Sequence, residues 1–408
     1  MDTGVKPRDV AELELAIRWA LAGNKTFEVI GHGSKRGIGR AAQWDATLDV
    51  SLLSGVTLYE PEELVLSAQA GTPLAEIEAL VAARNQQLAF EPMDYGPVLG
   101  GACGAATVGG AIAANLSGPR RIKAGAARDH FLGVTAVSGR GETFKSGGRV
   151  VKNVTGYDLC KLLAGSWGTL AVMTEVTLKT LPRAETEQTV LVIGLDDAAA
   201  CRAMAAAMGS FADVSAAGHL PAAAAARIAE TASAAGSVTI FRIEGVAPSV
   251  ADRKSVLEGV LAPLGSLGSL SEGSSRALWR AVRDVRPFAA DGPCGRCDLW
   301  RISTAPAQGA ELGRRLAEQT DAELIYDWAG GLVWAALPAS ADAHAPQVRA
   351  AVAAMGGHAT LIRAPASVRV AVDVFTPEAP ALAALTRRVR ESFDPQGVLN
   401  AGRMWAGV

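Results

Sequence analysis

Three bends of nearly bare main chain, far apart in sequence, constrain this chain more than any other feature. An apolar run, Val29-Ile30, enters the turn Gly31-His32-Gly33-Ser34-Lys35. A second glycine-rich loop runs from Thr107 to Gly118 as Thr-Val-Gly-Gly-Ala-Ile-Ala-Ala-Asn-Leu-Ser-Gly. The third bend is Phe393-Asp394-Pro395-Gln396-Gly397-Val398-Leu399-Asn400-Ala401-Gly402-Arg403. Glycine lets main chain approach phosphate closely, so the separated loops predict N–H groups converging on one large anionic ligand.

The first turn also mimics the phosphate turn of a short-chain dehydrogenase. His32 to Arg40 carries the glycines, and Tyr157-Asp158-Leu159-Cys160-Lys161 supplies a Tyr-x-x-x-Lys. Context argues against that reading, because such a turn should open a long helix on a parallel sheet. Here an amphipathic helix, Val10 to Leu21, precedes the turn, and an alternating strand pattern, Trp44 to Val50, follows it. Thr169 to Lys179 reads as a strand ended by Pro182. An NAD(P) dehydrogenase is therefore a remote alternative.

With 408 residues, 49% of them hydrophobic, the chain exceeds one core and predicts two domains. A net charge of −2 lacks the electrostatic footprint of a nucleic-acid or anionic-membrane binder. Asp2, Lys6, Arg8 and Asp9 crowd the first residues, where a signal peptide would need an apolar core. The alanine-rich run Ala222 to Ala235 is broken by Arg227 and Glu230 and reads as a soluble helix. Five scattered cysteines, an odd count, indicate free thiols in a reducing compartment, the cytoplasm. Cys294 and Cys297 read as loop thiols beside Pro293, with a redox-active or partner-shared pair as the alternative. Two sulfurs without a neighbouring histidine fall short of a four-ligand zinc or iron–sulfur site, so no metal site is expected.

Up to about Pro182, short β-type runs alternate with glycine turns. Thr72 is placed to cap a helix from Pro73 to Arg84, and Ser138-Gly139-Arg140-Gly141 joins two strands as a hairpin. From about Thr186 the texture changes. The strands Val190–Ile193, Ser237–Glu244, Leu299–Ser303, Glu323–Asp327 and Leu332–Leu337 interleave with helices over Ala198–Met208, Ser249–Leu261, Gln308–Gln319 and Ala345–Met355. That alternation predicts an antiparallel sheet covered by helices on one side. A last helix, Pro377 to Ser392, delivers the terminal bend.

These motifs, in this order, resemble those of the FAD-binding oxidoreductases of the vanillyl-alcohol oxidase and para-cresol methylhydroxylase (PCMH) type. Gly31-His32-Gly33-Ser34 matches that family's pyrophosphate loop, and Gly109, Gly110, Asn115 and Gly118 match its flavin loop. Gly156 to Glu175 matches its adenine-side segment, and the terminal bend matches the one that sets Asn400 near the isoalloxazine. The resemblance implies an α+β fold. A PCMH-type two-subdomain FAD-binding domain would span 1–184, and an α/β cap domain with an antiparallel sheet would span 185–376. Residues 377–408 would form a helix and turn returning to the flavin. FAD is expected to be noncovalent, because the histidine that attaches flavin in some members falls where Ser34 stands. The cofactor-binding residues implied are Gly31, His32, Gly33, Ser34, Lys35, Thr107, Val108, Gly109, Gly110, Asn115, Gly118, Gly168, Val172 and Asn400. Lys35 and Lys152 stand near the phosphates, each expected as a solvated surface charge.

Leu299-Trp300-Arg301-Ile302-Ser303 and Tyr326-Asp327-Trp328-Ala329-Gly330-Gly331-Leu332-Val333-Trp334 are similar to stretches of the E-type subunits of bacterial glycolate oxidases. Their plain reading is strands with core tryptophans. The resemblance implies a part in oxidising glycolate, a small 2-hydroxy acid, to glyoxylate. The partners implied are a D-type flavoprotein subunit and an iron–sulfur F-type subunit, in a cytoplasmic complex that can be peripheral to the inner membrane. Arg301 is then offered as the carboxylate-holding cation. His130 is a candidate base whose plainer reading is structural. The Glu-His-Gly element of D-type subunits is missing, and the five histidines are dispersed. A structural or electron-relay subunit is the alternative.

Overall fold

Asp9 starts the first helix, Val10–Ala22, by accepting the Glu12 N–H at 2.8 Å. The helix lays Leu13, Ala16, Ile17 and Ala20 against Phe27, Leu48, Val172 and Leu399, four apolar side chains contributed by distant segments. The computed structural model describes residues 4–149 and 156–406, so Lys152 lies outside the described residues. Strands β1 (Phe27–Ile30) and β2 (Ala46–Asp49) pair in parallel, and Leu399 bridges Phe27, also in parallel. Beside them, β3 (Val56–Glu60) and β4 (Val65–Gln69) belong to an antiparallel sheet ordered β3-β4-β8-β6-β7. A two-residue strand, β5 (Gln86–Gln87), pairs outside it with β9 (Leu181–Pro182). The other members are β6 (Phe131–Ser138), β7 (Thr143–Gly147) and β8 (Ala171–Lys179). The β6–β7 hairpin turns at Gly141, whose φ of 70° suits glycine. Thr72 does not cap the next helix, Leu74–Ala82; its hydroxyl donates to the Gln69 carbonyl at 2.7 Å and so ties off the preceding turn.

The remaining strands make one eight-stranded antiparallel sheet. They are β10 (Thr186–Ile193), β11 (Ala216–Leu220), β12 (Val238–Gly245), β13 (Ser266–Leu270), β14 (Asp298–Ser303), β15 (Glu323–Asp327), β16 (Leu332–Leu337) and β17 (His358–Arg363). The spatial order is β13-β10-β12-β11-β15-β16-β14-β17. Each half reads strand–helix–strand–strand–helix–strand, and the halves meet edge to edge where His219 of β11 pairs with Tyr326 of β15. This internal duplication is silent in the sequence. Side chains alternate across the sheet. Val190, Val192, Trp300, Ile302 and Val333 face the helices Asp197–Met208, Ala247–Leu261, Gly309–Gln319 and Ala345–Met355. Leu191, Ile240, Leu299, Ile325 and Trp334 face the N-terminal layers instead. The expectation of helices on one side holds, but the other face is neither polar nor open, because the N-terminal sheets cover it. The alanine-rich run forms a helix only over Ala222–Ala225, and the Thr231 hydroxyl then takes the Ala225 carbonyl at 2.7 Å. No helix among the described residues is long and apolar enough to cross a membrane.

Charge fixes the seam between the layers. Arg242 of β12 is buried and donates both terminal nitrogens to Glu91, each at 2.9 Å. Arg120 bonds Glu91 at 2.7 Å and grips Glu244. Burial alone would raise Glu244, but Arg242 and the Arg120 hydrogen bond outweigh it and hold the carboxyl at about 2. Its folded value lies below its ordinary 4.5, so its stabilising share is full above pH 4.5 and is lost as pH falls toward 2. Glu244→Gln is therefore expected to give a shallower loss of stability over that interval in urea melts. Arg242→Met leaves the buried carboxylates of Glu91 and Glu244 to share Arg120 alone and should cost about 3–5 kcal/mol at pH 7.

Candidate cofactor site

The three glycine bends meet. A cleft of about 690 Å³ is lined by Gly31 to Arg36, Thr107, Gly109, Gly110, Trp167, Gly168, Val172, Asn400 and Arg403, among others. Its assembly depends on missing side-chain carbons. A Cβ on Gly31 would lie 2.7 Å from the Thr107 hydroxyl, and one on Gly109 would lie 2.6 Å from the Ala70 Cβ. Asn400 closes the ring: its side-chain oxygen accepts the Val29 N–H at 2.9 Å, and its amide donates to the Trp167 carbonyl at 2.8 Å.

The two glycine loops play different parts. Among the described residues, the main-chain N–H groups of His32, Gly33 and Ser34 donate no hydrogen bond, so the first loop keeps its donors available. In the second loop Thr107 caps the helix Val108–Ala113 by accepting the Gly110 N–H at 3.2 Å. The Val108 and Gly109 N–H groups are already bound to the Thr72 and Ala70 carbonyls, at 3.0 and 2.9 Å. Gly109 and Gly110 therefore offer a bare floor for close approach. Donors are not their contribution.

Positive charge is concentrated in this cleft. Lys35 is no solvated surface cation: burial, with Arg403 adding to it, pushes its ammonium down to about 8 against the pull of Asp94. Its Nζ donates to the Ser34 hydroxyl at 3.1 Å, and no carboxylate reaches it among the described residues. Arg403 is buried too, pushed down to about 10, and its Nε has no hydrogen-bond partner. One terminal nitrogen of Arg403 binds the Lys35 carbonyl at 2.9 Å. Two enclosed cations with no carboxylate at ion-pair distance among the described residues, open amides and a floor of bare glycine suit a pyrophosphate dianion. Arg403 and Trp167 were absent from the expected site residues, although the Gly-Arg end of the terminal bend was the signal for the first.

Other expected residues fall elsewhere. The Val108 side chain is buried in the core, and Asn115 accepts the Arg128 N–H at 3.0 Å. Gly118 sits against Glu91 and accepts the Trp328 indole N–H at 3.0 Å. None of the three lines the cleft. His130 is buried beside Phe90, with Nε2 held by the Ala124 carbonyl at 2.9 Å, and it does not line the cleft either. Arg301 stands on β14, apart from the cofactor cleft, against the Trp328 ring at 5.0 Å. Cys294 and Cys297 are free thiols in a turn, and burial pushes Cys294 up to about 12. Tyr157 is 91% exposed and Lys161 pairs with Asp158 at 2.8 Å, so neither serves a nicotinamide site.

Residues 2–147 match the family model described as FAD binding domain. The chain is 31% identical over 393 residues to glycolate oxidase subunit GlcE of Escherichia coli (strain K12), covering 96% of this chain and 95% of that protein. It is 34% identical over 176 residues to a D-2-hydroxyglutarate dehydrogenase of Xanthomonas citri pv. viticola, 42% of this chain and 35% of that protein. Among solved structures, p-cresol methylhydroxylase aligns with a TM-score of 0.71 at 13% identity, over 98% of this chain and 88% of that one. The 4-ethylphenol oxidase from Gulosibacter chungangensis aligns at 0.72 and 12% identity, over 99% and 89%. These two show a shared α+β fold. The chain belongs to the PCMH-type family of FAD-binding flavoproteins, within the group of glycolate oxidase E-type subunits.

Proposed function

We propose that this chain holds FAD noncovalently as a subunit of a glycolate-oxidising complex and takes part in converting glycolate to glyoxylate. One observation carries the reading. The cleft brings Lys35 and Arg403, two enclosed cations with no carboxylate at ion-pair distance among the described residues, together with the open amides of the first glycine turn. Bound there, FAD would supply a two-electron acceptor for the hydrogen on the hydroxyl-bearing carbon. The chain's own residues do the rest. His32 to Lys35 and Arg403 meet the phosphates, Gly31, Gly109 and Gly110 let the cofactor lie close, and Asn400 locks the bends around it. Arg301 would hold the substrate carboxylate, since its guanidinium has no hydrogen-bond acceptor among the described residues. A D-type flavoprotein and an iron–sulfur F-type subunit are the proposed partners, and residues 1–184, 185–376 and 377–408 the proposed domains.

A second reading has one observation in its favour. No group of three or more His, Cys, Asp or Glu among the described residues could hold a metal ion. Under that reading the chain relays electrons or supports its D-type partner.

Absorbance separates the readings. The purified chain is expected to show a flavin spectrum, acid precipitation should release all the flavin into the supernatant, and glycolate should bleach it. A colourless chain that leaves its D-type partner holding all the flavin of the complex would sink the cofactor reading. Lys35 offers a sharper check. Its amine titrates near 8 without a partner anion, and an anion raises it, so FAD binding takes up a proton above that pH. Affinity should therefore fall as pH rises from 7 to 9.5. Lys35→Met should weaken FAD at pH 7 by roughly 10- to 100-fold, as expected for a charged hydrogen bond, and should flatten that part of the pH profile in fluorescence titrations.

A further inference from the structure

Cys294 and Cys297 stand at the two ends of a tight turn that leads into β14. The Cys297 N–H donates to the Cys294 carbonyl at 3.0 Å, directly after two similar turns, Gly292 onto Ala289 and Gly295 onto Gly292. A bond of that spacing holds the two Cα atoms within about 7 Å, roughly the longest reach of a disulfide. Glycine makes the turn possible, because a Cβ on Gly295 would lie 2.0 Å from the Ala290 carbonyl oxygen. Arg363, at the end of β17, locks it from outside. Its guanidinium donates to the carbonyls of both cysteines, and to those of Val98 and Phe288 at 2.7 and 2.8 Å.

The two thiols are not equivalent. Cys294 is buried, accepts a hydrogen bond from the Arg227 guanidinium at 3.2 Å, and donates its S–H to the Glu323 carboxylate at 3.4 Å. Burial and Glu323 keep that thiol protonated against the pull of Arg227. Cys297 is partly exposed, and its sulfur has no hydrogen-bond partner among the described residues. The charge of Arg363 acts on both sulfurs, and a cation beside an accessible cysteine favours the thiolate that attacks. An accessible thiol next to a buried one, with a carboxylate at the buried proton, is what two-step disulfide exchange requires. Neither cysteine lines the cofactor cleft, and the reaction proposed there leaves both unused.

We propose that Cys294 and Cys297 form a dithiol–disulfide pair that exchanges with small-molecule disulfides, Glu323 accepting the buried proton. The Cys297 thiolate attacks one sulfur of the incoming disulfide, forms a mixed disulfide and releases the other half as a thiolate. Cys294 then attacks the Cys297 sulfur while Glu323 takes its proton, and the second half leaves as a thiolate. The protein thiols lose two electrons, the incoming disulfide gains them, and two protons end on the released thiols. Closure removes the Cys294–Glu323 hydrogen bond but spares the Arg227–Glu323 ion pair at 2.7 Å, so that tie survives in both states.

Mass spectrometric mapping of the native full chain in glutathione buffers tests this, in a Cys103→Ser background that lacks the exposed surface thiol. Oxidised glutathione is expected to close a disulfide between Cys294 and Cys297, with loss of two hydrogens, and dithiothreitol to reopen it. Cys294→Ser should stop at one glutathione on Cys297. Glu323→Gln should close roughly 10- to 100-fold more slowly and accumulate that same mixed disulfide, as loss of a proton acceptor demands. A chain that stops at the mixed disulfide, or whose two thiols both stay unmodified, overturns the proposal. So does closure at the parental rate in a Glu323→Gln variant of parental melting temperature. Should Cys294→Ser fail to fold, Cys297→Ser decides: Cys294 is then expected to remain a free thiol, and glutathione attached to it overturns the order of attack.

Discussion

The side-chain amide of Asn400 is the tie on which the cofactor cleft depends. It accepts from Val29 and donates to Trp167, so strand, loop and terminal bend are fixed relative to one another. Its own N–H adds a bond to the Phe27 carbonyl at 2.9 Å. Holding that position needs a left-handed φ of 47°, which asparagine tolerates better than most residues. Asp394 shapes the approach: its carboxylate accepts the Val398 and Leu399 N–H groups at 2.9 and 2.8 Å, in space that Gly139 leaves vacant.

Two arrangements of buried charge divide the labour. At the seam, Arg242, Arg120, Glu91 and Glu244 pair with one another and tie the layers together. In the cleft, Lys35 and Arg403 have no carboxylate at ion-pair distance among the described residues, so the folded chain keeps a partly desolvated positive charge that a bound anion can complete. The first arrangement stabilises the scaffold and the second prepares it for a ligand.

Much of the fold was legible because local rules and tertiary demands agree. The strand runs from Val190 to Leu337 and their intervening helices fall within a few residues of their expected limits. Hydrophobic periodicity alone sets those limits. The short-chain dehydrogenase mimicry failed on context, since the first turn is followed by β2 rather than a long helix. The second glycine loop misled in a subtler way. Its composition suggests amide donors, yet those amides are spent on Thr72 and Ala70. Lys35 was misplaced for a related reason: a lysine in a polar glycine turn reads as solvated until a distant arginine and the Thr107 loop enclose it. Asn115 and Gly118 carry motif spacing, but they hold the backbone near Arg128 and Trp328 and leave the cleft unlined.

By itself the sequence determined that three glycine bends exist and that strands and helices alternate after Thr186. These follow from steric freedom at glycine and from apolar period, both of which are local. Tertiary structure alone decided which bends face a common space, which amides stay unused, and which cations lose their water. It also decided that two sheet halves join through His219 and Tyr326. These outcomes depend on contacts between residues hundreds of positions apart, such as Val29 with Asn400, and a linear pattern holds no record of desolvation or of the partner a backbone group finally meets.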